Sequence, residues 1–260
     1  MGTLNFRKAA VWFAVGVLAL SAAVSTEVRA QAPAVDKAAV QILQRTTDYV
    51  GGLHQFSVNT ETDLEDLLDS RHRVDFDVYV SVTVSRPNKL RAERKGALID
   101  QVFYYNGKTL TLYNPYDNAY ATEPAPETVE GVLDYARESL GLMIPASDLI
   151  YRNAFNLLMK DVKFAMVVDK TVINGVECDH VLFSRPGVDF QVWVADSGPP
   201  LPMKYIVTDT SKPGYVSITT VMSDWNVAPA VADGRFDFVA PTGVKKIGFM
   251  PLEINSGSNR

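Results

Sequence analysis

The sequence predicts an α+β fold, mainly β, built on one large antiparallel sheet. Three observations carry that reading. Many short strand-like runs are separated by tight turn signals. One run of thirteen residues, Arg73 to Ser85, alternates apolar and polar side chains along its whole length. A helical insert divides two strand-rich halves, as in folds where helices gather on one side of an antiparallel sheet.

The first thirty residues are expected to stand outside that fold. Arg7 and Lys8 precede Ala9 to Val24, a sixteen-residue stretch without charge, and Val28-Arg29-Ala30 places small residues where a signal peptidase reads. This pattern predicts a secretory signal peptide over residues 1–30, cleaved before Gln31. The apolar run is short for a membrane span, which needs about 20 residues. Residues 31–254 then form one domain, and the polar residues 255–260 a flexible tail. The chain has a single cysteine, Cys178, so no intramolecular disulfide supports it and stability must come from packing. A net charge of −5 offers no basic face for nucleic acid.

The elements follow in order. Ala34 to Tyr49 reads as a helix, with Val35, Ala38, Ala39, Ile42, Leu43, Thr46 and Tyr49 on one stripe and Gly51-Gly52 at its end. Phe56 to Leu64 alternates as a strand. In Arg73–Ser85, Val74, Phe76, Val78, Val80, Val82 and Val84 share one face while charged and hydroxyl residues share the other. One apolar and one wet face indicate antiparallel pairing. At ~3.3 Å per residue the strand spans roughly 40 Å, long enough to curl. Lys89–Lys95, Ala97–Tyr105, Lys108–Tyr113 and Ala119–Thr122 continue a meander. Asn106-Gly107 and Asn174-Gly175 are both expected to form two-residue type I′ hairpin turns. Pro126 opens a helix from Glu127 to Gly141, and a second helix is expected from Ala146 to Lys160. Val162–Ile173, Val176–Ser184, Val188–Ala195, Leu201–Thr210 and Tyr215–Trp225 complete ten or eleven strands. Five tyrosines, Tyr104, Tyr105, Tyr113, Tyr116 and Tyr120, crowd one meander and raise the question of what it holds.

The motifs of catalysis do not assemble. His54, His72 and His180 sit in no zinc pattern, and Cys178 with His180 supplies too few ligands for a metal. No nucleophile elbow, P-loop or dinucleotide fingerprint is present. A carboxylate pair of the glycosidase kind is not nominated by any motif. Binding without catalysis, cofactor or metal is therefore the expectation.

Four segments, "SRPNKLRAE" (Ser85 to Glu93), "YYNGKTLTLYNP" (Tyr104 to Pro115), "VDFQVWVADSGPPLPMKYIV" (Val188 to Val207) and "FDFVAPTGVKKI" (Phe236 to Ile247), together resemble the periplasmic lipoprotein carrier LolA and its wider superfamily, in the same order. The chain is similar above all to the uncharacterised exported members. The resemblance implies a curved, incomplete half-barrel of about eleven antiparallel strands, with helices covering its concave face as a lid. It implies a periplasmic monomer that holds a lipid, a lipoprotein acyl chain or another apolar ligand, and that meets membrane-associated donor and acceptor proteins. An envelope-stress sensor or protein-interaction module is the alternative on the same scaffold, and an undetected hydrolase a third. Arg86, in the Arg-Pro-Asn motif, is the arginine that would bond to the lid helices.

With that architecture, the apolar residues of sheet and lid become the candidate lining. They are Val78, Val80, Phe103, Tyr105, Leu112, Phe190 and Trp193 from the strands, and Met143, Phe155, Leu158 and Met159 from the lid. For any one of them plain close-packed core is the stronger reading, since apolar residues are inside by default.

Overall fold

A computed structural model describes residues 34–97 and 99–249. The expected signal peptide and the tail from Asn255 lie outside the described residues. Helix α1 spans Lys37–Gly52, followed by β1 (Gln55–Leu67), β2 (Arg73–Ser85), β3 (Lys89–Gly96), β4 (Ile99–Tyr105), β5 (Thr109–Asn114) and β6 (Ala119–Pro124). The insert holds α2 (Val129–Glu138), a 3-10 turn (Ser147–Ile150) and α3 (Ala154–Met159). Then come β7 (Phe164–Ile173), β8 (Val176–Arg185), β9 (Val188–Ala195), β10 (Pro202–Asp209), β11 (Ser217–Asn226), a 3-10 turn at Asp233–Phe236, and β12 (Lys245–Lys246).

Among the described residues all twelve strands join one open, curved sheet in the order β12-β6-β5-β4-β3-β2-β1-β11-β10-β9-β8-β7. Every ladder is antiparallel except the two-residue pairing of β12 with β6. Two hairpin meanders, β1–β6 and β7–β11, therefore meet along one seam, where β1 pairs with β11. The expected half-barrel is present, with one strand more than the count made from turns.

Register decides which side chains share a face, because opposed residues point the same way. One inner row runs Val181, Val192, Tyr205, Thr220, Thr62, Val78 across β8, β9, β10, β11, β1 and β2. The neighbouring outer row runs His180, Trp193, Lys204, Val221, Glu61, Tyr79. Phe56, Phe103, Tyr105, Phe183 and Phe190 on the inner face form one core cluster with Leu43 of α1, Val132 and Leu133 of α2 and Leu158 of α3. Phe183 and Phe190 stack with centroids 4.9 Å apart.

The helices form where their caps allow. Asp36 Oδ1 accepts the Ala38 amide at 2.8 Å and starts α1 at Lys37 rather than at the expected Ala34, and the helix runs on through Gly51-Gly52. Gly51 serves close packing, since a Cβ there would sit 3.0 Å from the Arg152 carbonyl oxygen. Thr128 Oγ1 caps α2 by accepting Gly131 N at 3.0 Å, which moves the start past Pro126. The second helix of the insert is broken. Ala146 takes the left-handed conformation (φ 58°), the chain turns out at Tyr151, and only six residues from Ala154 are α-helical.

The two Asn-Gly pairs also part company. Asn174 (φ 49°) and Gly175 (φ 80°) both lie in the left-handed region, as a type I′ turn requires. At Asn106-Gly107 only the glycine does (φ 88°). There the Asn106 side chain accepts both Lys108 N and Thr109 N at 3.1 Å, building a turn from its own carboxamide instead.

The tyrosine question has a structural answer. Tyr104, Tyr113 and Tyr120 face outward and surround Phe238, with centroids 5.4, 5.5 and 4.9 Å from its ring. The C-terminal segment is strapped there by Lys89–Asp233 (2.8 Å), by Asn106 Nδ2 donating to Asp237 (2.9 Å) and by β12. Tyr105 alone turns inward, and Tyr116 lies exposed in a turn.

Candidate functional site

Between the inner face and the insert lies an apolar cavity of about 100 Å³. Val58, Val80, Val82, Leu90, Phe103 and Leu110 supply its sheet wall. Val132, Leu133 and Ala136 of α2 and Leu149 of the 3-10 turn supply its roof. Thr60, Thr62 and Arg94 are the polar side chains on the sheet side.

A second hollow of about 250 Å³ lies beside it, toward Tyr205, Val207 and Thr220 of β10 and β11, with Arg137 and Asp148 among its lining. Both spaces are bounded by the same short segment, Met143 to Ser147. Left-handed residues, Gly141 (φ 64°) and Ala146 (φ 58°), bracket the apolar part of that flap. Met143 is 54% exposed although it lines both spaces, so its flexible thioether stands at the boundary of cavity and solvent.

The insert is tied down by two polar knots. Arg86, at the corner between β2 and β3, has a side chain with no exposed surface. It donates Nη1 to Glu130 Oε1 of α2 at 2.7 Å, Nε to the Leu53 carbonyl at 3.1 Å, and Nη2 to the Ile150 carbonyl. Glu130 also accepts the Arg152 amide at 3.1 Å. Burial pulls the Arg86 pKa below its ordinary value and Glu130 pulls it back, so the guanidinium stays charged. In the second knot the Tyr151 hydroxyl donates to Asp134 at 2.8 Å and accepts from Arg137, which also reaches Asp148 at 3.2 Å. Burial raises the Tyr151 pKa first, and Asp134 adds to it. Tyr105 donates to the Pro126 carbonyl at the head of α2, and burial with the Glu127 and Glu130 charges pushes its pKa up to about 12.

The expected lining residues divide. Val80, Phe103 and Met143 line the cavity. Val78 is a buried inner-face residue outside that lining, and Tyr105, Leu158 and Phe190 are close-packed core. Leu112, Phe155 and Met159 pack at the edge of the same core without bounding the cavity. Trp193 faces the other way, and its placement in the lining is corrected. It stacks on His180 at 3.9 Å under Lys204, whose Nζ is 4.9 Å from its ring centroid. The reason is that β9 is buried on both faces from Val192 to Ala195, a small second cluster with Cys178 and Met203 covering the outer side. His180 is held by Asp169 (3.0 Å) and Gln191 (2.9 Å), and no metal-binding cluster occurs among the described residues.

Sequence reasoning missed Thr60, Thr62, Arg94, Trp225 and the flap. One signal was available for Arg94. It falls on the apolar parity of Leu90 and Ala92, where a charge breaks the alternation.

No curated protein matches this chain. Among solved structures it is similar to LprF from Mycobacterium bovis, at 14% identity over 76% of this chain and 97% of that one (TM-score 0.49). It is similar to the lipoprotein LppX from Mycobacterium tuberculosis, at 16% identity over 76% and 100% (TM-score 0.44). A LolA superfamily protein from Nitrosomonas europaea aligns at 13% identity over 77% and 97% (TM-score 0.38). Residues 39–250 match the family model DUF2092, described as a predicted periplasmic protein, and with most of its length inside that match the chain belongs to this family of periplasmic proteins.

Proposed function

We propose that the protein is a non-enzymatic periplasmic carrier that binds a lipid, a lipoprotein acyl chain or a similar apolar ligand between its sheet and its helical insert. The observation that carries this reading is the cavity itself, walled by valines, leucines and Phe103 and roofed by α2. In the closed arrangement its volume of about 100 Å³ is smaller than the ~150 Å³ of an engineered apolar cavity that takes up benzene. A full acyl chain therefore enters only when α2, the 3-10 turn and the flap swing away, joining the two hollows. Burial gains about 0.8 kcal/mol per CH₂, so ten carbons gain about 8 kcal/mol before ordering costs. That is enough to offset the loss of knots such as Arg86–Glu130. Donor and acceptor proteins at the membrane would supply and remove the ligand.

Native mass spectrometry with lipid extraction, on protein purified from a periplasmic fraction, tests the reading. A co-purifying lipid released on unfolding is expected. Protein that carries none, and takes up none when mixed with total membrane lipid, overturns it.

A second reading, a protein-interaction module, is favoured by one observation. Phe164, Met166 and Val168 on the edge strand β7 form an exposed apolar row, 41, 37 and 40% accessible. Exposed apolar rows of this kind mark association surfaces. Lipid-free protein that captures a partner only when this row is intact would support it.

A further inference from the structure

Arg94 has no partner that accounts for its charge. It sits on β3 between Val80 of β2 and Gln101 of β4, on the inner face, and lines the apolar cavity. Its sequence neighbours Glu93 and Lys95 point outward, and Glu93 pairs with Arg91 there. Among the described residues no carboxylate lies within ion-pair distance of Arg94, and its one notable neighbour is the Phe103 ring, 5.8 Å from Cζ. Arg86 makes the contrast plain, since its guanidinium is matched by Glu130 and two carbonyls. Burial lowers the Arg94 pKa with no opposing charge to restore it. Arg94 is half-buried, and because an arginine does not escape by losing its proton, the part of its charge that faces the apolar wall stays partly desolvated, a cost that an anion would offset.

The cavity is also polarised along its length. On the sheet wall Leu90 and Leu110 share one register row with Val84, and Thr60 and Arg94 share a row with Val80 further along the strands, with Thr62 beyond it. Apolar space ending at an unmatched guanidinium and hydroxyls fits a molecule with a hydrocarbon tail and an anionic end. Resting on the proposed carrier function, we infer that the ligand is an anionic amphiphile, a carboxylate or phosphate on an alkyl chain, and that Arg94 binds its charged group. Planar guanidinium suits both oxyanions through paired N–H donors.

The test measures displacement of the neutral dye Nile red from the purified protein. The competitors are dodecanoate, dodecyl phosphate, dodecan-1-ol and inorganic phosphate, each below its micelle concentration. Either anionic chain is expected to bind roughly tenfold or more tightly than the alcohol. The tighter of the two names the headgroup. Arg94→Gln is expected to abolish that preference, and Arg94→Lys to keep part of it. Equal binding of anionic and neutral chains by the unaltered protein overturns the inference and leaves apolar binding standing, and this comparison does not depend on any variant folding. An anionic preference that survives in Arg94→Gln overturns the role of Arg94. Inorganic phosphate bound as tightly as dodecyl phosphate, by isothermal calorimetry, overturns the amphiphile. Failure of every chain to displace the dye overturns the carrier reading itself.

Discussion

Arg86 Nη1 and Glu130 Oε1 lie 2.7 Å apart, joining the corner between β2 and β3 to the first turn of α2. The same guanidinium holds the carbonyl that follows α1 and the last carbonyl of the 3-10 turn. One side chain thus bonds to three of the pieces that cover the inner face. Arg86→Leu removes all three contacts and leaves Glu130 with the Arg152 amide. A loss of about 3 kcal/mol is expected, from the range for breaking a buried pair. That corresponds to a fall in Tm of roughly 10 °C for a domain of this size. Amides of α2 and of Ser147–Ile150 should exchange faster, by hydrogen–deuterium exchange. Glu130→Gln keeps an acceptor and should cost only about 1 kcal/mol.

Ala136 roofs the cavity from α2 and is 4% exposed. Ala136→Leu places a larger side chain in the empty space. Filling an apolar void without displacing its walls stabilises by about 1 kcal/mol. Denaturation in urea should show that gain, and Nile red or lipid uptake by the same variant should fall at least tenfold. Unchanged uptake would place the binding space elsewhere.

How far the residues disclose the fold depends on which side of the strand is wet. Arg73–Ser85 and Val188–Ala195 run over the same bounds in sequence and structure, because turn signals bracket them. The facing of Arg73–Ser85 was legible too, since its odd residues are charged or hydroxylic apart from Tyr79. The facing of Val192–Ala195 was not, because both sides are apolar and buried, and Trp193 was misplaced for that reason. The five tyrosines misled in a similar way. Three of them, Tyr104, Tyr113 and Tyr120, are covered from outside by Phe238, more than a hundred residues away, and local pattern carries no trace of it. At the site, Arg86 was readable from a motif, whereas the break at Ala146–Asn153 depends on tertiary packing that overrides an apolar helical stripe.

On the outer face, β1 and β2 oppose like charges. Asp63 pairs with Asp77 and Glu65 with Asp75. Burial and then the Asp77 carboxyl raise the Asp63 pKa above its ordinary 3.8. The folded protein therefore holds a proton there more tightly than the unfolded chain. The stabilisation is complete below pH 3.8 and is lost as pH rises through the elevated folded value. Asp63→Asn should raise stability at pH 7 by about 0.5 kcal/mol, a like-charge pair reduced by solvent screening. The gain should shrink toward zero in urea titrations at the acid end of that window.

Cys178 is fully buried, and its Sγ donates to the Val176 carbonyl at 3.3 Å. Burial pushes its thiol pKa up, away from the reactive thiolate. Native protein should resist labelling by a disulfide-exchange reagent at pH 8, and labelling should begin only where denaturant unfolds the chain. Rapid labelling without denaturant would show that the outer cluster of β8 and β9 opens on its own.

The seam between β1 and β11 carries a kinetic consequence. Each meander can zip strand by strand from its own short turns, but Thr62 meets Thr220 only after a sequence separation of 158 has been closed into a loop. Topologies that postpone a pairing of such long range fold slowly. The two halves should reach native-like order first and wait on that single ladder. Until it zips, the ceiling of the cavity has only half a floor beneath it.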